Sequence, residues 1–291
     1  MSREEQLRWE AQWARPAAIC AFVAGALLLA HIILLQSGLN DRAQIEALPD
    51  FLLSIDADSG TFTASKVCQS LGSLLLAPVF VYLFRAANAR GAGMPSWFLY
   101  LIVIGPVLYA LGTMLGSLQQ LDVAHDFADR GNEAVRGTRG DDLAEDMLRD
   151  NASAGVFALS FAGSVAVGFS YVMVPIRARR VGLLSPFMSI LGIVAGALFV
   201  LQLVPLVPVV VQAFWLGAIG AIFLGNWPGG RGPAWRSGEA EPWPTSAQRR
   251  GLEPTPERTA EDEPQLDPAE APEPAAAVER PSSRKRKRNR R

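Results

Sequence analysis

Residues 183–227, LLSPFMSILGIVAGALFVLQLVPLVPVVVQAFWLGAIGAIFLGNW, carry no charged side chain. A bilayer core about 30 Å thick is crossed by about 20 residues of apolar helix, so this stretch is too long for one crossing and suits two. Pro205 and Pro208 lie near its middle, and Leu-Val-Pro-Leu-Val-Pro reads as a tight turn between spans of about 184–204 and 207–227. Four more uncharged runs of span length precede it, at 17–36, 67–84, 97–117 and 154–176. The expected fold is all-α: a polytopic membrane protein with a six-helix transmembrane bundle over residues 17–227. Five spans plus a re-entrant segment is the rival count. Half of the 291 residues are hydrophobic and 19% are charged, and the charges crowd into the gaps and the C-terminal tail. Such blocks exclude an ordinary soluble globular enzyme.

Positive charge beside the spans sets the expected orientation. Arg3, Arg8 and Arg15 precede the first span, Arg85 and Arg90 follow the second, and Arg177, Arg179 and Arg180 follow the fourth. Arg231, Arg236, Arg249 and Arg250 follow the sixth. With six spans these segments share one side, the cytoplasm, and both termini lie there. The opposite loops, 38–66 and 118–152, are acidic. Residues 1–16 contain Glu4, Glu5 and Glu10 and lead to no small-x-small exit, so an uncleaved first span is expected rather than a signal peptide. Cys20 and Cys68 fall at opposite faces of the membrane, too far apart for a disulfide.

After Trp227 the composition changes. Residues 228–291 are rich in proline and poor in apolar side chains, which leaves little to offset the entropy of ordering, so this tail is expected to be disordered. Trp227, Trp235 and Trp243, set among Gly and Pro, suit the membrane interface. The tail is acidic from Glu253 to Glu279 and basic from Arg280 to Arg291. Within the basic run, Arg284, Lys285, Arg286, Lys287 and Arg288 are the candidate contacts to anionic lipid head groups, each worth about 1 kcal/mol near such a surface. A cytoplasmic protein is the other partner considered for the tail. No aromatic or folded module accompanies the charge, which argues against nucleic acid.

The outer loops offer one candidate cation site. Leu118, Leu121, Ala124 and Ala128 recur at helical spacing, so the third span is expected to continue as a helix past the membrane. On it Asp122, His125 and Asp129 share a face, and imidazole with carboxylates could hold a divalent cation. A solvated helix face has the same appearance, so no metal is assigned.

Within the spans, polar groups are costly and mark function by default. His31, Lys66, Gln69, Ser70, Ser73, Gln202 and Gln212 all fall in the expected outer half, and His31, Gln69 and Gln212 are the candidate lining of an outward-facing pocket. Helix-to-helix hydrogen bonds, with Lys66 reaching to the surface, are the structural alternative. Gly112 with Gly116, and Gly192 with Gly196, are GxxxG pairs that let helices approach closely.

No GxxxxGK[ST], HExxH, GxSxG or CxxC occurs, so nucleotide hydrolysis, zinc proteolysis and serine hydrolysis have no support, and no cofactor is implied. Of the basic residues only Lys66, Lys285 and Lys287 are lysine, a bias of GC-rich bacterial genomes, and the plasma membrane follows. The run Arg180-Val-Gly-Leu-Leu-Ser-Pro-Phe-Met-Ser-Ile-Leu-Gly192, with Phe214-Trp-Leu-Gly and Gly232-Pro-Ala-Trp, resembles a family of uncharacterised six-span integral membrane proteins of GC-rich bacteria. The resemblance covers roughly the last three spans and the proximal tail. It implies a six-helix membrane domain and lends no residue a role. The leading expectation is a non-enzymatic scaffold or regulator acting through its cytoplasmic tail; the alternative is a transporter or permease subunit with an outward-facing polar pocket.

Overall fold

Uncharged runs of Leu, Ala, Val and Gly must satisfy their backbone groups internally in lipid, and a helix does this within one segment. The computed structural model describes residues 2–38, 48–130, 138–201, 206–228 and 230–244, and among these all regular structure is helical. The helices are α1 (Arg3–Gly38), α2 (Leu48–Ala57), α3 (Ser59–Leu74), α4 (Leu76–Ala89), α5 (Trp97–Asp129), α6 (Thr138–Asn151), α7 (Ala154–Arg180), α8 (Pro186–Leu201), α9 (Leu206–Leu224) and α10 (Pro233–Ser237). Five stretches are long and apolar enough to cross a membrane: Arg3–Ser37, Ser59–Ala89, Trp97–Asp129, Ala154–Arg180 and Leu206–Leu224. These mark a membrane protein. α8 is a shorter apolar helix of 16 residues. Gln202 and Pro205 lie outside the described residues, while Pro208 sits in the first turn of α9.

α3 and α4 form one path broken at Leu75. Pro78 explains the break, since it has no N–H to offer the Leu74 carbonyl four residues back and its ring crowds that turn. α1, with 36 residues, is about 54 Å long at 1.5 Å per residue, well beyond a bilayer core. α5 likewise continues to Asp129. Residues 38–66, expected as an outer loop, require correction. They contain α2 and the first half of α3, because Leu52, Ile55 and Phe62 have an apolar cluster to join.

That cluster forms one end of the bundle. Leu52, Ile55, Phe62, Val123, Phe127, Ala144 and Met147 pack together there, joining α2, α3, α5 and α6. The main core lies deeper. Phe80, Tyr171 and Trp215 are fully buried, with ring centroids 4.8 Å apart for Phe80–Tyr171 and 5.1 Å for Tyr171–Trp215. Trp215 Nε1 donates to Met188 O at 3.0 Å, so α4, α7, α8 and α9 meet at these rings.

Glycine sets the closest approaches. A Cβ on Gly163 would lie 2.6 Å from Tyr109 Cα, and one on Gly196 would lie 2.7 Å from Gly168 O. The small faces therefore join α5 to α7 and α7 to α8 within the chain. Ile33, Tyr100, Phe157 and Phe187 are each more than half exposed, a surface suited to lipid rather than water.

The opposite end holds the N-terminus and the segment after α9. Residues 228–244, expected to open a disordered tail, are here a second correction: the segment folds back on the bundle. Trp235 on α10 is buried and its Nε1 donates to Leu183 O at 2.9 Å, so it is a core side chain and not an interfacial one. Glu241 N donates to Val181 O at 3.2 Å. Gly182 makes the contact possible: its φ is +81°, and a side chain there would strike the Glu241 carbonyl. Arg90, Arg177 and Arg231 all bond backbone carbonyls at this end. Residues 245–291, with the candidate lipid contacts Arg284, Lys285, Arg286, Lys287 and Arg288, lie outside the described residues.

Candidate functional site

His31 on α1, Gln69 on α3 and Gln212 on α9 come from distant parts of the chain, yet they line one cavity of about 180 Å³. Tyr109, Phe199 and Ser73 complete its wall.

The polar atoms differ in how far they are committed. His31 Nδ1 lies 2.8 Å from Ser65 Oγ and 3.1 Å from Ser65 O. A carbonyl only accepts, so Nδ1 carries the hydrogen, and Nε2 of the neutral ring is left as an acceptor. Gln69 Nε2 donates to Tyr109 Oη at 3.1 Å, while Gln69 Oε1 is buried with no partner. Gln212 is only 2% exposed and lines the cavity. An unmade hydrogen bond in a buried place costs about 1–3 kcal/mol. Gln69 Oε1, left in this state beside the cavity, is what a hydrogen-bond donor on a guest would satisfy. Among the described residues no carboxylate or cation lines the cavity, so its chemistry suits a neutral molecule.

Tyr109 was not among the residues singled out from sequence. The signal was present, since a phenol in an otherwise apolar span needs a partner for its hydroxyl. Lys66 lines a second, larger groove rather than this cavity, with its ammonium 5.2 Å from the centre of the Phe62 ring. Cys20 and Cys68 are both free, as their placement in the spans implied.

The structure does not bring Asp122, His125 and Asp129 together as one set of ligands. His125 turns across to α2, where its Nδ1 meets Asp56 Oδ1 at 3.1 Å, and its Nε2 is 4.0 Å from Asp129. Among the described residues no group of three or more His, Cys, Asp or Glu side chains could hold a metal ion. Asp122 takes no part in the His125 pairing. The hydrogen bond that His125 donates to Asp56, with Asp129 beside it, raises His125 above the usual imidazole value of 6.5. The attraction is fully present below 6.5 and fades as pH rises through the raised value. An NMR titration should therefore place His125 above 6.5, and Asp56→Asn should bring it down. A value at or below 6.5 in the unaltered chain would show that the pairing does not form.

No family model, curated protein or solved structure matches the chain.

Proposed function

We propose that this chain is a six-span protein of the bacterial plasma membrane that admits a small neutral solute to an outward-facing pocket, as a transporter or permease subunit does. The observation that carries the reading is the meeting of His31, Gln69 and Gln212 around one cavity, where Gln69 Oε1 has no partner and no Asp, Glu, Lys or Arg lines the wall among the described residues. α8 supplies the sixth crossing. Both termini are cytoplasmic in this reading, supported by the arginines that gather beside the N-terminus, since cytoplasmic ends carry the excess of Lys and Arg. α2, α6 and the acidic end then face outward, and the chain joins the six-span family it resembles. The scaffold reading rests on residues 245–291 alone and takes second place.

Cavity size bounds the solute. An engineered cavity of about 150 Å³ takes up benzene, so 180 Å³ suits a guest of about six non-hydrogen atoms. Glycerol is a probe of that size and chemistry. Stopped-flow swelling of proteoliposomes holding the full chain should show glycerol entry above that of protein-free vesicles. Gln212→Leu should cut the protein-dependent part at least tenfold while the thermal transition stays in place. Entry equal to that of empty vesicles would sink the transport reading.

A further inference from the structure

The second groove differs from the solute cavity in charge, size and surroundings. It encloses about 510 Å³ among α3, α5, α7 and α8, and Gln69 with Tyr109 forms the wall it shares with the cavity. Among the described residues Lys66 is the one ionised side chain that lines it. No carboxylate approaches the Lys66 ammonium closely enough to pair with it among the described residues, and its recorded neighbour is the Phe62 ring. A cation held part-buried within a membrane helix without a counter-charge is costly, and such residues mark binding sites by default.

The rest of the lining suits an anion. Ser117 and Ser164 spend their hydroxyl hydrogens on carbonyls three residues back, at 2.7 and 2.8 Å. Gln120 and Ser160 make no such bonds among the described residues and keep donors available. Ser160 also belongs to the first two turns of α7, so the positive end of that helix borders the groove. The rim is apolar and faces outward from the bundle. Phe157 and Phe161 lie nearly parallel with centroids 5.9 Å apart, and both are more than half exposed, as is Leu201. A polar floor with Lys66 as its one cation unpaired among the described residues, opening sideways between lipid-facing rings, matches an amphiphile and not a soluble solute.

We propose that this groove binds an anionic phospholipid, with its phosphate against Lys66, Gln120 and Ser160 and an acyl chain along Phe157 and Phe161. The site is separate from the solute cavity and stands whether or not that cavity transports anything. One cationic side chain facing anionic head groups is worth about a fivefold preference.

Native mass spectrometry of the full chain in a neutral detergent tests this. Phosphatidylglycerol and phosphatidylcholine with the same acyl chains would be offered at equal concentration, in salt high enough to screen the basic run at 280–291. Phosphatidylglycerol adducts should exceed phosphatidylcholine adducts about fivefold. Lys66→Gln should abolish the preference and Lys66→Arg should retain it. Gln120→Leu, a second variant that leaves the charge in place, should reduce it. Equal adducts for the two lipids, or a preference unchanged in Lys66→Gln, would overturn the proposal. Displacement of phosphatidylglycerol by equimolar inorganic phosphate would overturn the lipid assignment and leave a soluble-anion site.

Discussion

Replacing Glu10 with Ala should destabilise the protein by about 3–5 kcal/mol, because it leaves Arg90 charged and buried without its partner. The Glu10 and Arg90 side chains are 5% and 0% exposed. Arg90 Nη1 and Nη2 grip the two Glu10 oxygens in a fork, the second at 2.9 Å. The remaining bonds fix both groups. Arg90 Nε donates to Ala234 O at 3.0 Å, Nη1 to Ala86 O at 2.7 Å, and Gln6 Nε2 to Glu10 Oε1 at 2.8 Å. The pair thus ties the start of α1, the end of α4 and α10 together at one point. Replacing both partners removes the uncompensated charge, so Glu10→Gln with Arg90→Met should cost less than the sum of the two single changes. Denaturant unfolding in detergent measures both effects. A loss below about 0.5 kcal/mol for Glu10→Ala would place the pair among exposed salt bridges, whose typical worth is that small.

This ion pair also shows where reading the sequence stops. Glu10 stands in a charged leader and Arg90 in a basic connection 80 positions later, and each alone looks like a solvated charge. Nothing local marks either as buried, because their partnership depends on how α1 and α4 cross. The spans were legible for the opposite reason. Lipid permits no unsatisfied backbone, so an uncharged run of sufficient length has few outcomes besides a helix. The cavity was legible in part on the same logic: His31, Gln69 and Gln212 stood out because polar groups are rare in such runs. Their union around one space needed the crossing of α1, α3 and α9. α2 escaped notice because Asp50 and Asp56 gave its segment the look of a loop, while its buried face is only Leu52, Ile55 and their neighbours. Trp235 misled by its setting. Gly and Pro around an indole suit an interfacial anchor, but here Gly182 and Gly232 allow the chain to fold back.

A chain ending at Trp227 should lose about 3–5 kcal/mol, the cost of emptying a buried tryptophan site, whereas one ending at Pro244 should unfold with the full chain. Trp235 fills a place built by four neighbours. Its ring stacks on Tyr82 at 5.8 Å and meets Phe223 at 6.1 Å, while the guanidinium groups of Arg90 and Arg231 lie 5.6 and 5.7 Å from its centre. The shorter truncation also removes Arg231, whose Nε caps the end of α9 by donating to Ile222 O at 3.1 Å. It further strips Arg90 of the Ala234 carbonyl, which couples this loss to the Glu10 pair, so the two effects should not add. Beyond Pro244 the composition offers little apolar surface to bury, so its removal takes little from the fold. Trp235→Ala in the full chain separates the ring from the rest of the segment and should account for most of the loss. If the chain ending at Trp227 unfolded at the same temperature as the full chain, α10 would be a loose attachment and the Arg90 site would have to be closed by Glu10 and Ala86 alone.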